Sequence, residues 1–203
     1  RCGEWANCFC LLCRALGYDT RLVVDYTDHV WVECWSEKQR RWIHCDPCEA
    51  AFDKPLTYER GWKKKITYMI ANSIEECVDV TRRYTECLPD VMPRRTAIPE
   101  DTLNRVLHAI DEKKLQGLSF ERQQEIRKRK AMEEAELKEG GKKAGDYIGR
   151  QSGSEEWRRT RGEDGSSGSG SGTIPAQEEK QVMETLSKQL KSELFAFDSF
   201  SPD

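Results

Sequence analysis

The chain has 203 residues, 37% hydrophobic and 34% charged, with a formal net charge of −3. That length suits one good domain, or a smaller domain with appendages, and the composition is too polar for one compact unit along the whole chain. No apolar run approaches the roughly 20 residues of a membrane span, and the near-neutral balance gives no ground for a nucleic-acid binder driven by bulk charge, so neither membrane insertion nor a nucleic-acid partner is expected. No secretory leader is readable in a chain that opens on Arg1 rather than Met. The nine cysteines are an odd number, none lies beyond Cys87, and Cys8, Cys10 and Cys13 crowd one apparent helix. A secreted disulfide framework would not look like this, so reduced thiols and a cytoplasmic setting are expected.

Residues 3–16 read as a helix: Trp5, Phe9, Leu12, Cys13 and Leu16 recur at helical spacing, and Gly17 supplies a stop. Residues 20–26 and 29–35 are rich in β-branched and aromatic side chains and are separated by the polar pair Thr27-Asp28, a hairpin-like break. In the second run His29, Trp31, Glu33 and Trp35 share one face, and Val30, Val32 and Cys34 the other. Residues 36–40 form a polar turn, 41–46 a third strand ended by Pro47, and 66–71 a fourth strand. A helix followed by consecutive antiparallel strands is an α+β pattern. Trp5, Trp31, Trp35, Trp42 and Trp62 place the core in this first third.

Beyond Cys87 the composition changes. Pro89, Pro93 and Pro99 punctuate a loop, and residues 100–115 form an amphipathic helix through Leu103, Val106, Leu107 and Ile110. Residues 119–137 follow, with Ser119 as N-cap, Leu137 as the last apolar position and dense mixed charge between, the pattern of a solvated helix. Residues 140–162 read as weakly structured, and 165–172 as a flexible Gly/Ser coil. Val182, Leu186, Leu190 and Leu194 then mark a short amphipathic helix within 175–195. The expected organisation is a catalytic-type core at 1–95, a helical continuation at 96–140, a flexible linker at 141–172 and a tail at 173–203.

Three residues form an ordered constellation. Cys2 immediately precedes the first helix, where amide N–H groups and the positive end of the helix dipole stabilise a thiolate. His29 opens the second strand, where its ring stands at the sheet edge, and Asp46 ends the third, where a carboxylate can orient an imidazole. The plainer alternatives stay open on this pattern alone: a packing thiol, a turn histidine, and a cap before Pro47. Cys10-Leu-Leu-Cys13 and Cys45-Asp-Pro-Cys48 are both C-x-x-C, a zinc-knuckle spacing, but the first lies inside an amphipathic helix and the second contains Asp46, so packing is the expected role of all four. Trp31, Glu33, Trp42 and Trp62 suit either the core or sugar recognition by stacking and hydroxyl hydrogen bonds.

The runs RCGEWANCF at 1–9, DHVWVE at 28–33 and WIHCDPC at 42–48 together resemble, in order, spacing and flanking residues, the catalytic core of the peptide:N-glycanase family, amidases of the transglutaminase-like superfamily. The likeness runs to about Gly165, where SGS at 152–154, Trp157 and RGE at 161–163 are similar to the family's connection out of the core. The resemblance implies an α+β, transglutaminase-like or papain-like cysteine-enzyme core, followed by helices and a disordered tail. Its nucleophile would be Cys2, its general base His29 and its orienting carboxylate Asp46, with glycan or peptide contacts at Arg21, Trp31, Glu33, Trp42 and Trp62. It implies a structural zinc held by two C-x-x-C pairs upstream of the nucleophile, together with part of the cleft wall and an oxyanion-hole donor. These are expected to be missing here, as are the family's N-terminal adaptor domain and C-terminal β-sandwich. The implied substrate is a misfolded glycoprotein carrying an N-glycan on Asn. The implied partner is a proteasome-associated ubiquitin-receptor shuttle protein, docking on 119–137 through Phe120, Ile126 and Leu137. Rival readings are a transglutaminase-like thiol protease or acyltransferase with the same triad, and a non-catalytic transglutaminase-like scaffold.

Overall fold

The computed structural model describes residues 1–139 and 146–166. The expected tail at 173–203 and residues 141–145 and 167–172 of the expected linker lie outside them. Helix α1 (Cys2–Ala15) leads into β1 (Thr20–Asp25), β2 (His29–Ser36), β3 (Arg41–Asp46) and β4 (Ala51–Phe52). A π-helical turn at Thr57–Gly61 precedes β5 (Met69–Asn72) and β6 (Cys77–Asp79). The helices α2 (Leu88–Val91), α3 (Glu100–Gln116), α4 (Phe120–Glu139) and α5 (Glu155–Thr160) follow. The strands form one antiparallel sheet in the order β4-β3-β2-β1-β5-β6, so the chain is α+β. The fourth expected strand is real but begins at Met69 rather than Ile66.

The β1–β2 hairpin closes through Tyr26, Thr27 and Asp28, with Asp28 at φ +75°. That left-handed residue is what a three-residue hairpin loop needs. Asp25 ties the loop by accepting from the Thr27 amide at 2.8 Å and the Thr27 hydroxyl at 2.6 Å. Gly17 ends α1 at φ +87°, and the Tyr18 amide reaches back to the Cys13 carbonyl at 3.0 Å.

Side-chain alternation gives the sheet two unlike faces. Val30, Val32 and Leu22 meet α1 through Ala6, Phe9 and Cys10. Ile70 and Cys77 meet α3 through Leu103, Val106 and Leu107. On the opposite side, Val23, Trp31, Met69 and Ala71 pack with Tyr58, Trp62, Ile66, Val80, Tyr84 and Val91.

The expected inward stripe of α1 is corrected. Trp5, Leu12 and Leu16 are exposed, and the buried positions are Ala6, Cys10 and Cys13. The helix is apolar around much of its circumference, so hydrophobic spacing alone does not choose a face. The small-residue stripe lets its backbone approach the sheet closely, and the large side chains stay outside.

Helix α4 is also corrected, because ion pairs hold it on the fold where a solvated helix was expected. Glu133 pairs with Arg21 and, at 3.0 Å, with Arg83. Arg122 reaches Asp19 at 2.7 Å and Glu75 at 2.6 Å, Arg129 pairs with Asp19 and Glu37, and Lys130 pairs with Asp111. Ile126 is buried, while Phe120 is exposed. Arg21 is wholly enclosed among Glu33 at 2.7 Å, Glu76 at 2.9 Å and Glu133. Burial pushes the Glu33 carboxyl up, but the charges of Arg21 and Arg83 and the Tyr84 hydroxyl hold it down at about 2. Burial pushes Glu76 up, and its carboxyl stays raised despite Arg21. The Glu33 contribution to stability is therefore present above the usual carboxylate range and is lost as pH falls through about 2.

The Glu133→Ala variant leaves Arg21 and Arg83 short of a buried carboxylate, and should lower stability by about 3–5 kcal/mol. The exposed Glu134→Ala should stay within about 0.5 kcal/mol of the parent. Urea denaturation of both variants checks this.

Candidate active site

The structure brings Cys2, His29 and Asp46 together from three elements. Cys2 is the first residue of α1 and half-buried. His29 opens β2, opposite Asp25 in the hairpin register. Asp46 closes β3, and its side chain organises the turn that follows. Its Oδ1 accepts from the Cys48 amide at 2.9 Å and the Glu49 amide at 3.2 Å, a turn in which Pro47 has no N–H to spend. Its Oδ2 lies 2.7 Å from Nε2 of His29. Because a carboxylate only accepts, Nε2 carries the proton. Nδ1 of His29 is buried and has no hydrogen-bonding partner within range.

The Cys2 thiol and the His29 imidazole act on each other electrostatically. Interaction with the His29 ring lowers the Cys2 pKa most, burial opposes it, and the His29 charge and Arg150 lower it further against the nearby Asp28. Burial lowers the His29 pKa, but the Asp46 hydrogen bond, then Cys2 and the Asp46 charge, outweigh it and raise the value, against Lys64. Burial raises Asp46, and His29, His44 and Tyr58 more than offset it, so the carboxyl lies below its usual range. A lowered thiol beside a raised imidazole favours the thiolate–imidazolium pair, the reactive form of a cysteine nucleophile.

The five residues named from the resemblance as substrate contacts sit behind this constellation. Arg21, Trp31, Glu33 and Trp62 are wholly buried and Trp42 nearly so, so none presents a surface to a ligand in this conformation. Trp62 meets the His29 ring edge-on at 4.8 Å, and Trp31 lies 5.9 Å from it. Trp31 also stacks on Tyr58 at 4.2 Å and donates from Nε1 to the Tyr84 hydroxyl at 2.7 Å. Trp42 lies under the Arg21 guanidinium at 4.1 Å. The Trp31 and Trp62 rings, with Tyr58, wall the imidazole on the buried side.

Sequence reasoning missed the back wall of the site. The expected linker is ordered over 146–166 and folds against the triad, because its charges are paired. Arg150 lies over Trp62 at 4.5 Å and Trp157 at 4.4 Å, and binds Glu163 at 2.7 Å. The Gln151 and Ser152 amides donate to the Glu49 carboxylate at 2.6 and 3.0 Å. A Cβ on Gly61 would stand 2.2 Å from the Ile148 carbonyl oxygen, so only glycine admits this approach. Ser154 caps α5 by accepting from the Trp157 amide at 3.3 Å. The S-G-S spacing before Trp157 is the sequence signal that could have shown this helix. Lys64 was missed as well. Its ammonium is buried against Asp25 at 2.7 Å and fixes the hairpin that carries His29.

Of the C-x-x-C cysteines, Cys10, Cys13 and Cys45 are buried and Cys48 is half-buried. Among the described residues no group of three or more His, Cys, Asp or Glu side chains is placed to hold a metal ion. The zinc implied by the resemblance therefore finds no seat among them.

Comparison with known proteins follows the same lines. Residues 1–47 match the transglutaminase-like superfamily. The chain is 53% identical to a peptide-N(4)-(N-acetyl-beta-glucosaminyl)asparagine amidase of Gallus gallus, over 82% of this chain and 26% of the relative. It is 48% identical to the protein of that name from Arabidopsis thaliana, over 82% of this chain and 24% of the relative. With the Homo sapiens protein of the same name it shares 46% identity, over 94% of this chain and 28% of the relative. The chain thus spans about a quarter of the length of these relatives.

Iodoacetamide should alkylate Cys2 faster than the exposed Cys8 and Cys87 at roughly pH 6, below the ordinary thiol range. His29→Ala removes the largest cause of the lowered pKa, so the acid limb of Cys2 alkylation should move up toward that of the exposed thiols. Peptide-resolved mass spectrometry of alkylation rates against pH reads both. A Cys2 profile already matching Cys8 in the parent would contradict the ion pair.

Proposed function

The chain belongs to the family of peptide-N(4)-(N-acetyl-beta-glucosaminyl)asparagine amidases within the transglutaminase-like superfamily, and on that premise we propose that it is the triad-bearing part of an amidase that removes N-glycans from Asn. The observation that carries the reading is the His29 ring, bonded through Nε2 to Asp46 at 2.7 Å with Nδ1 left without a partner, and interacting with the Cys2 thiol so as to lower its pKa.

The chemistry follows from that arrangement. The Cys2 thiolate attacks the carbonyl carbon of the Asn side chain. The imidazolium of His29 gives its Nδ1 proton to the departing glycosylamine nitrogen as the C–N bond breaks, leaving a thioester on Cys2. A water molecule, its proton taken by Nδ1, then attacks the thioester carbonyl and releases Asp, restoring the thiolate and imidazolium. Asp46 stays ionised throughout and holds the tautomer that keeps Nδ1 facing the thiol.

The substrate proposed is a misfolded glycoprotein, since an unfolded chain exposes both the Asn amide and the first sugars. A cytoplasmic setting suits nine cysteines that are all free thiols. A proteasome-associated ubiquitin-receptor shuttle is proposed as partner on the same footing. Its groove would meet α4 at Phe120, because Ile126 is turned into the fold. Arg122, Arg127, Arg129 and Lys130 already hold carboxylates of this chain.

Incubating a full-length parent protein that contains this chain with a denatured N-glycopeptide should release the glycan and leave Asp in place of Asn, read by mass spectrometry. Cys2→Ala should abolish turnover, and Asp46→Asn should reduce it by about 10³-fold or more. Circular dichroism should be unchanged in Cys2→Ala, whose side chain lies at a helix start. Peptide-bond cleavage would replace this reading with the thiol-protease one, and turnover by Cys2→Ala would overturn the mechanism.

A further inference from the structure

Asp46 receives one hydrogen bond that the triad does not require. The Tyr58 hydroxyl lies 3.0 Å from Oδ2, the same oxygen that holds His29. Tyr58 is wholly buried in the turn Thr57–Gly61, stacked on Trp31 and edge-on to Trp62 at 5.1 Å. Its oxygen also lies 2.7 Å from Nε2 of His44, a buried histidine two residues before Asp46 on β3. At the other side of that ring, the backbone N–H of Lys54 donates to Nδ1 at 3.3 Å.

These contacts can carry protons in only one direction. An amide N–H only donates, so Nδ1 of His44 accepts and is unprotonated. In a neutral ring the proton must then sit on Nε2, which donates to the Tyr58 oxygen. Tyr58 has a single proton, and with its oxygen already accepting from His44 it gives that proton to Asp46. The ring is neutral because burial outweighs the Asp46 and Glu33 charges and lowers the His44 pKa to about 4. Burial, reinforced by the Asp46 charge, keeps Tyr58 protonated. Asp46 therefore faces four donors, Cys48 N–H and Glu49 N–H at Oδ1 and His29 and Tyr58 at Oδ2.

We infer that His44 and Tyr58 are positioning residues for the triad: a proton-ordered chain from Lys54 N–H through His44 and Tyr58 keeps the Asp46 carboxylate ionised and aimed at Nε2 of His29. The inference rests on the triad reading above. It makes Tyr58 the group that denies Asp46 a proton of its own, so that the imidazole proton stays on His29 while Nδ1 works on the other side. The ionisable groups facing the chain are few. His29 and His44 face Asp46, with Cys2 and Lys64 beyond His29. Asp25 and Tyr84 face Tyr58, and Glu33 and Asp53 face His44.

Tyr58→Phe is the decisive variant, because it keeps the ring stacked on Trp31 and removes one hydroxyl. NMR of ¹³C-labelled aspartate carboxyls should show the protonation constant of Asp46 rising about tenfold, the effect of losing one hydrogen bond to a charged acceptor. Long-range ¹H–¹⁵N spectra of the three histidines should place the His44 proton on Nε2 in the parent. His44→Gln retains a donor toward Tyr58 and should keep Asp46 near the parent value, whereas His44→Leu, which leaves the Tyr58 hydroxyl on Asp46 without the donor that orients it, should shift it in the same direction as Tyr58→Phe but less. A merely packing role for these residues would move the urea midpoint and leave the Asp46 titration alone. An Asp46 midpoint unmoved in a folded Tyr58→Phe, or a His44 proton found on Nδ1, would overturn the inference. Neither spectrum uses a glycan, so an inactive protein with the expected shifts would sink the amidase reading alone.

Discussion

Glu33 pairs across the sheet with His44 and Cys34 with Ile43, and this register of β2 on β3 sets where each charge of the chain is spent. Side chains alternate, so His29, Trp31, Glu33 and Trp35 share a face with Trp42, His44 and Asp46, while Val30, Val32 and Cys34 turn to α1. β1 extends the pattern, since Arg21 pairs with Glu33, Val23 with Trp31 and Asp25 with His29. A one-residue slip would send the valines to the face that carries Asp46 and drive His29 and Glu33 under the helix. The slip would bury unpaired charge, so the register and the site are enforced by the same energetics.

That concentration of polar groups on one buried face has a cost, which the rest of the chain offsets. Buried charges are tolerated only where they are paired and hydrogen-bonded. Arg21 and Arg83 stand among Glu33, Glu76 and Glu133. Arg83 also meets Glu136 at 3.0 Å, so two cations meet four carboxyls, of which burial pushes the Glu76 carboxyl upward. Glu133 comes from α4, so the helix that looks most soluble closes the most buried cluster. From Glu33 the contacts continue without a gap. Its carboxylate accepts from Tyr84 at 2.6 Å, Tyr84 accepts from Trp31, and Trp31 stacks on Tyr58 beside Asp46. The cluster and the triad share one rigid aromatic wall.

On the other side of the triad the segment 146–166 supplies what the sheet lacks. Arg150 stands over Trp62, which meets the imidazole edge-on, and its positive charge helps lower the Cys2 thiol. Arg161 reaches Asp28 at 3.4 Å and so touches the turn that presents His29. Cys2, His29 and their surroundings come from residues more than a hundred positions apart, and the glycine at 61 lets the distant segment around Ile148 come close.

Much of this was legible in the residues themselves, because local chemistry decides it. Alternation in β2, the Thr27-Asp28 break and the stop at Gly17 are properties of a few neighbouring residues, and each lies where the pattern puts it. The order of Cys2, His29 and Asp46 on helix start, strand start and strand end is likewise a local reading. The face of α1 was not legible, because a helix apolar around most of its girth leaves the choice to the sheet it meets, and close approach selected Ala6, Cys10 and Cys13. Nor was α4, whose stripe of opposite charges is the same pattern whether it faces water or buried partners. The partners of Glu133 are Arg21 on β1, 112 residues away, and Arg83 beyond β6, about half that distance along the chain, and no spacing rule connects them. His44 and Tyr58 were silent for the same reason: a histidine and a tyrosine become a proton chain only when folding sets both beside Asp46 and removes the water that would otherwise satisfy them.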